Sequence, residues 1–299
     1  MVTTTRQQNR IHRRDVLFDV AVRSYLVITF LLIAYPLYFI ILASFSNPDA
    51  VGAGTVWLYP KGFNLEGYRT IFAHDRIWTG YRNTIFYTSV GTLISLAVTL
   101  PAAYSLSRKD FAPRRFFMVY FTIVMFFGGG LIPTYLVISK LGIVNTIWVM
   151  LIPFSLNIYN MIIARTFFQT SIPSEITEAA IIDGCDDGRL FFRIVLPLSK
   201  AVIAVMALFY AVATWNNYFR PMIYIRNERI QVLQVFLRDI LVLNQYLETM
   251  DGAAFNEMQT VADMIKYGII IVSALPMLIL YPFIQKYFVK GVLIGSIKG

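Results

Sequence analysis

Six stretches of this chain, 24–45, 83–107, 116–139, 141–164, 201–219 and 267–285, contain no Asp, Glu, Lys or Arg and are almost wholly apolar. Crossing a bilayer core takes about 20 residues of helix, and every one of the six reaches or approaches that length. A helix that is apolar on all faces has no side to turn toward water. The pattern therefore predicts an all-α membrane protein with six transmembrane helices. Composition agrees: 57% of residues are hydrophobic and 14% charged, against about 25% charged in soluble domains.

The flanking charges set the orientation. One set of segments holds Arg6, Arg10, Arg13, Arg14, Arg23, Arg108, Lys109, Arg114, Arg115, Arg165, Arg189, Arg193, Lys200, Lys286, Lys290 and Lys298. On that side basic residues outnumber acids two to one; on the other side they nearly balance. Positive residues stay in the cytoplasm, so both termini are expected there. The net charge of +9 then reports topology and contact with anionic lipid headgroups, and no nucleic-acid partner is expected. The first apolar stretch follows five arginines, as a secretory leader would. It is too long for a leader's apolar region and no small-x-small cleavage site follows it, so it is read as a retained helix.

Little else suggests chemistry. Cys185 is the single cysteine, so no internal disulfide can form, and a lone thiol without a positioned base is a poor nucleophile. His12 and His74 fall on opposite sides of the membrane. No metal site and no catalytic residue is assigned, and no G-x-x-x-x-G-K-[ST] phosphate loop occurs.

The segments order as a cytoplasmic tail (1–23), a six-helix membrane domain (24–288) and a cytoplasmic C-terminal tail (289–299). Within the domain, the outer loop 46–82 carries turn residues and the interfacial aromatics Trp57 and Tyr59. A short basic inner turn follows at 107–115, then the inner loop 165–200 and the outer loop 226–266. Helix breakers fall inside the spans: Pro36, Pro101, Pro133, Pro153, Pro276, Pro282 and the run Gly128-Gly129-Gly130. Broken backbone at membrane depth is tolerated where it is buried or lines a water-filled cavity. The triple glycine is thus a candidate hinge or pathway wall, or a site of close packing through small residues.

The inner loop reads EITEAAIIDGCDDGRLFFRIVLPLSK from Glu175 to Lys200. Pro173 suits the first turn of a helix. Ile176, Ala179, Ala180 and Asp183 share one face by i, i+3, i+4, i+7 spacing, and two alanines there admit another backbone closely. Gly184 suits a left-handed helix end, Asp186 or Asp187 suits the cap of a second short helix, and Pro197 limits its continuation. A compact helix–turn–helix knob on the cytoplasmic side is expected.

Glu178, Ala179, Ala180, Asp183, Gly184, Ile194, Leu196 and Pro197 stand in the order and spacing of the cytoplasmic EAA loop of ABC-importer permeases, which this chain resembles. Many members have a proline shortly after the LP-L-S/T-K/R stretch; here Ala201-Val202-Ile203 follows. The six-span layout, Trp215-Asn216-Asn217-Tyr218 and the ending from Gln285 to Gly299 resemble carbohydrate importers of the maltose-G-like, multiple-sugar and oligogalacturonide type. The resemblance implies a type I importer fold in the bacterial cytoplasmic (inner) membrane. It implies a second homologous permease, two ATP-binding subunits that hold ATP and Mg, and an extracytoplasmic sugar-binding protein. The knob would then be a coupling helix seated in an ATPase. The outer loop 226–266 would meet the binding protein, its stretch Asp251-Gly252-Ala253-Ala254 reaching that partner's sugar cleft.

Trp215, Asn216, Asn217 and Tyr218 combine stacking surface with amide groups, as sugar binding requires, and Asn157, Tyr159 and Asn160 offer a second such set. Polar groups within a membrane are often functional, although hydrogen bonding between helices is the plainer role. The alternatives are a permease for another solute (an amino acid, peptide or phosphonate) and a stand-alone secondary transporter. The latter usually carries ionisable residues inside its spans, and these six cores have none. The oligogalacturonide-type resemblance points to an acidic, uronate-type oligosaccharide, which Arg76 and Arg82 would attract.

Overall fold

A computed structural model describes residues 3–247 and 262–282. Among the described residues all regular structure is helical. In chain order the elements are α1 (Thr3–Ser44), α2 (Pro48–Gly52), α3 (Glu66–Ala73), α4 (Asp75–Ser107), α5 (Arg114–Phe126), α6 (Leu131–Lys140), α7 (Trp148–Leu151), α8 (Ile158–Ser171) and α9 (Ser174–Ile182). A further run comprises α10 (Asp187–Arg189), a π-helical turn (Leu190–Val195) and α11 (Leu196–Leu198). After it come α12 (Lys200–Trp215), α13 (Phe219–Tyr224), a 3-10 turn (Glu228–Ile230) and α14 (Leu233–Leu247), and lastly α15 (Ala262–Pro282).

Among the described residues three helices are long and apolar enough to cross a membrane: Phe18–Ser44, Asp75–Ser107 and Ala262–Pro282. Two more spans are counted only if bent pairs are taken as units, α5 with α6 (115°) and the 187–198 run with α12 (83°). The stretch 141–164, expected as one helix, is divided between α7 and α8, with Pro153 in the irregular backbone between them. The stretch 116–139 is broken at its glycines. Gly130 lies at φ +82°, where a residue with a Cβ pays a steric penalty. A Cβ on Gly128 or Gly130 would meet nothing within 4 Å, so close helix packing is not what these glycines provide within the chain.

The chain divides into two compact units. In the first, residues 1–71 with 243–272, Phe45 stacks on Phe63 and Tyr68 at 5.9 and 5.2 Å. The Tyr68 hydroxyl donates to Ser44 Oγ at 2.9 Å. A Cβ on Gly67 would lie 2.3 Å from the Met264 carbonyl oxygen, so only glycine fits there. α1 is one continuous helix from Thr3, and its candidate membrane span begins at Phe18.

The second unit, residues 72–242 with 273–299, is organised on α4, which packs on α8 and α12. Gly80, Thr84, Tyr87, Gly91, Ser95, Thr99 and Ala103 of α4 are buried. Their spacing places them along one face, and mostly small side chains let neighbouring backbones approach. Toward its C-terminal end α4 enters an apolar core with Met161, Ala164, Phe168, Leu190, Phe191, Val195 and Met206.

Candidate functional site

Two sites emerge in the second unit, one at the C-terminal end of α4 and one midway along it. At the C-terminal end, α9 forms the predicted knob. Pro173 stands at the N-cap, φ −61° and ψ 138°, one residue ahead of its expected place in the first turn. Such extended backbone is what a residue just before the helix adopts. The other end closes as a Schellman motif. Gly184 lies at φ +75°, Gly184 N donates to the Ile181 carbonyl at 3.0 Å and Cys185 N to the Ala180 carbonyl at 2.9 Å. These bonds satisfy carbonyls the helix leaves open. Asp186, and not Asp187, caps the next helix, its Oδ1 accepting from Arg189 N at 2.9 Å. A cap of this kind contributes about 1 kcal/mol.

Pro197 does not end that helix; it lies within the run. Its ring excludes a normal hydrogen bond one turn back, and the π-helical turn of 190–195 immediately precedes it, a register that sets aside the α-type pattern. The chain bends two residues later, where the Ser199 hydroxyl donates to the Val195 carbonyl at 2.7 Å.

Arg108 holds the knob to α4. Its Nη1 lies 2.9 Å from Asp187 Oδ1, its Nε donates to Asp110 Oδ1 at 2.9 Å, and its guanidinium lies over the Tyr104 ring. The hydrogen bond from Arg108 keeps the Asp110 carboxyl below its ordinary range. Beneath, Tyr104 contacts Phe168 and Phe191 at 5.9 and 5.1 Å. Of the EAA residues only Ala180 is buried; Glu178, Ala179, Asp183 and Gly184 face outward. So do Ile181, Phe192 at 67% exposure and Ile182 at 85%. Apolar side chains this open beside ionic neighbours mark an interaction surface.

Midway along α4, beside Gly91 and Ser95, a cavity of about 60 Å³ is lined by polar groups of four elements. Asn157, Asn160, Asn217 and Arg220 surround it together with Ser95, Tyr210 and Thr214. Asn157 caps α8, its Oδ1 accepting from Asn160 N at 3.0 Å, and its own N–H donates to Tyr210 Oη at 3.2 Å. Tyr210 Oη also shares a 2.7 Å hydrogen bond with Thr99 Oγ1. Arg220 stacks on Phe154, guanidinium carbon to ring centre 4.1 Å. Among the described residues no carboxylate lies within ion-pair distance of it.

Beyond the cavity the segment 226–233 is fastened to α4. Asn83 Nδ2 donates to the carbonyls of Arg229 and Gln231, each at 2.9 Å. Tyr87 Oη donates to the Ile230 carbonyl at 3.0 Å, and Leu233 N donates to Thr84 Oγ1 at 3.0 Å. Asn145 Oδ1 accepts from both Arg226 N and Asn227 N.

These features coincide with a known family. Residues 77–234 match the model for the binding-protein-dependent transport system inner membrane component. The chain belongs to this family. It is a multi-pass protein of the bacterial inner membrane. Among related permeases, the polygalacturonan/rhamnogalacturonan transport system permease protein YtcP of Bacillus subtilis is 38% identical over 95% of this chain and 99% of its own length. Protein LplC of the same organism is 39% identical over 88% and 89%. In structure, the chain resembles one of a bacterial ABC transporter involved in the import of the acidic polysaccharide alginate. The TM-score is 0.83 and the identity 33%, over 92% of this chain and 98% of that one.

Within this permease the two candidate sets separate. Asn157, Asn160 and Asn217 line one cavity. Trp215 is buried and donates from Nε1 to the Ser273 carbonyl at 3.0 Å. Asn216, Tyr218 and Tyr159 are exposed and line no part of it. Arg220 was not legible as a site residue, since it follows the fifth apolar stretch and reads as an interfacial cation. The signal available was its place three residues after Asn217, whose Oδ1 accepts from Arg220 N at 3.1 Å. The stretch Asp251–Ala254 and the ending Gln285–Gly299 lie outside the described residues.

Proposed function

We propose that this chain is one of two permease subunits of an ATP-driven importer for an acidic oligosaccharide of the uronate type. In this reading six spans cross the membrane with both termini in the cytoplasm, the third and fourth being broken spans and the fifth formed by α12. A second homologous permease completes the pathway. The outer loop 226–266 receives an extracytoplasmic binding protein, and the α9 knob seats in an ATP-hydrolysing subunit. ATP-driven closure of the two ATPases draws the knobs together and favours the outward-facing pathway. A motor can shift such an equilibrium only by interacting differently with its two states.

The observation that carries the substrate class is Arg220. A guanidinium stacked on an aromatic ring, without a carboxylate of its own, beside three amides, matches a sugar acid: the cation takes the carboxylate and the amides take hydroxyls. The relatives named for acidic polysaccharides support the same class. The test is ATPase activity of the complex reconstituted with its binding protein, across neutral and uronate oligosaccharides. Stimulation by uronates, abolished by Gly184→Pro, is expected. Stimulation by neutral sugars alone sinks the substrate class, and full stimulation of the variant sinks the coupling role of the knob.

A further inference from the structure

A cluster of cations sits where α4 turns into α5, sharing no residue with the polar cavity. A cavity of about 470 Å³ is lined by Lys109, Arg114, Arg115 and Arg165, with Ser107 and Gln169 beside them. No acidic residue lines it. The nearest carboxylate in sequence, Asp110, is held by Arg108, and among the described residues none of the four cations forms an ion pair. Arg114 and Arg165 are instead fixed by neutral carbonyls, Nη1 to Arg108 O at 3.2 Å and Nε to Leu106 O at 2.9 Å. Burial, and after it the like charge of Arg114, lowers the Arg165 pKa. Pro113 gives α5 no side-chain cap, so the positive end of that helix adds to the same field.

Four cations gathered without an ion-paired partner, Asp110 being held by Arg108 and acting on Arg114 only at longer range, call for an anion. The next turns of α5 say which kind. Phe116, Val119, Tyr120 and Ile123 are all exposed, and their i, i+3, i+4, i+7 spacing makes one stripe. Arg115, which lines the cavity, stands one turn before Val119 and so borders this stripe, whereas Met118 lines the cavity from the opposite face of the helix and packs toward the core. A basic hollow bordered through Arg115 by an exposed apolar helix face fits a molecule with an anionic head and hydrocarbon tails.

We propose that the hollow formed by Lys109, Arg114, Arg115 and Arg165 binds the phosphate headgroup of an anionic phospholipid, with its acyl chains lying along the 116–123 face of α5. The guanidiniums grip phosphate oxygens, and Ser107 and Gln169 meet the glycerol or headgroup hydroxyls. Free phosphate shares the headgroup chemistry but leaves the apolar stripe unused. The site requires only that the α4–α5 turn lie at a membrane surface, whichever solute is carried.

Native mass spectrometry of the full-length protein, purified from membranes with its co-purifying subunits, tests this. Phosphatidylglycerol, phosphatidylcholine with the same chains, and inorganic phosphate are titrated in turn. Phosphatidylglycerol is expected to bind saturably, phosphatidylcholine much less, and excess phosphate not to displace the lipid. Arg114→Gln with Arg165→Gln should weaken phosphatidylglycerol about thirtyfold, whereas Arg193→Gln, an exposed cation outside the hollow, should leave it unchanged. Equal binding of both lipids, an unaffected double variant, or displacement by phosphate overturns the proposal. If the double variant does not assemble, a photoreactive phosphatidylglycerol on the wild type decides: labelling within 107–120 and 162–171 is expected, and labelling only elsewhere refutes the site.

Discussion

Gly184 offers a graded test of the coupling knob. A Cβ at this position would meet nothing within 4 Å, so size is not what selects glycine. The backbone is: at φ +75° an L-residue such as alanine loses about 1–2 kcal/mol, asparagine loses less, and proline cannot adopt the angle at all. Proline also removes the Gly184 N–H donated to Ile181. A 1–2 kcal/mol strain lowers the population of the correctly closed knob about five- to thirtyfold, relative to competing conformers. Coupling should therefore fall in the order glycine, asparagine, alanine, proline, although asparagine is larger than alanine. The assay is binding-protein- and substrate-stimulated ATPase in proteoliposomes, with hydrogen exchange of the Ala180–Cys185 amides as the structural readout. If alanine outperforms asparagine in both measurements, the position is limited by space at a docked partner and the conformational argument fails.

Three further outcomes follow from named contacts. Arg220→Gln should raise the concentration of uronate oligosaccharide needed for half-maximal uptake about tenfold or more while leaving basal ATPase intact, and Arg220→Lys should recover only part of the loss because a point charge does not replace a stacked fork. Gly80→Ala would put a Cβ 3.0 Å from the Leu233 backbone; displacement of the 226–233 segment should weaken binding-protein stimulation without weakening lipid binding. Arg108 keeps the Asp110 pKa low, so the contact's contribution is full above the ordinary carboxylate range and disappears as pH falls through the lowered value; the hydrogen exchange of 107–114 should rise only in acid, and Arg108→Gln should remove that pH dependence.

Reading the apolar stretches was sufficient for membrane class because hydropathy is local. The knob was legible for the same reason: its glycine and its cap act within a few residues of themselves, while the choice of Asp186 over Asp187, the N-cap place of Pro173 and the continuation of the helix through Pro197 came from the structure. What the sequence did not show is longer-ranged. The bend at Gly128–Gly130 turns an apparent straight span into an angled pair, because apolar composition records burial or lipid contact and says nothing of helix direction. Trp215 and Tyr218 looked equivalent in a short motif, yet α12 ends between them, burying one ring and exposing the other. Arg220 acquires its meaning from Phe154, 66 positions away in the chain.

The two candidate sites share one element, and that has a mechanical consequence. Helix α4 has 33 residues, a rod of about 50 Å. Its N-terminal half is fastened to 226–233 through Asn83, Thr84 and Tyr87, and its last residues and C-cap are fastened to the knob through Tyr104 and Arg108. A displacement of the knob is therefore transmitted to the segment 226–233 if α4 moves as a body. The weak point is Pro101, which cannot hydrogen-bond to the Ala97 carbonyl and so opens the backbone within the last two turns of the rod. Spin labels at Trp78 and Lys109 bracket it. An unchanged label-to-label distance between the nucleotide-free and ATP-bound transporter is the expected result, because buried contacts of Leu100, Ala103 and Tyr104 with α8 and α12 brace the helix on both sides of the proline. A distance that changes with nucleotide makes Pro101 a hinge, and the segment 226–233 then has to receive its signal by another route.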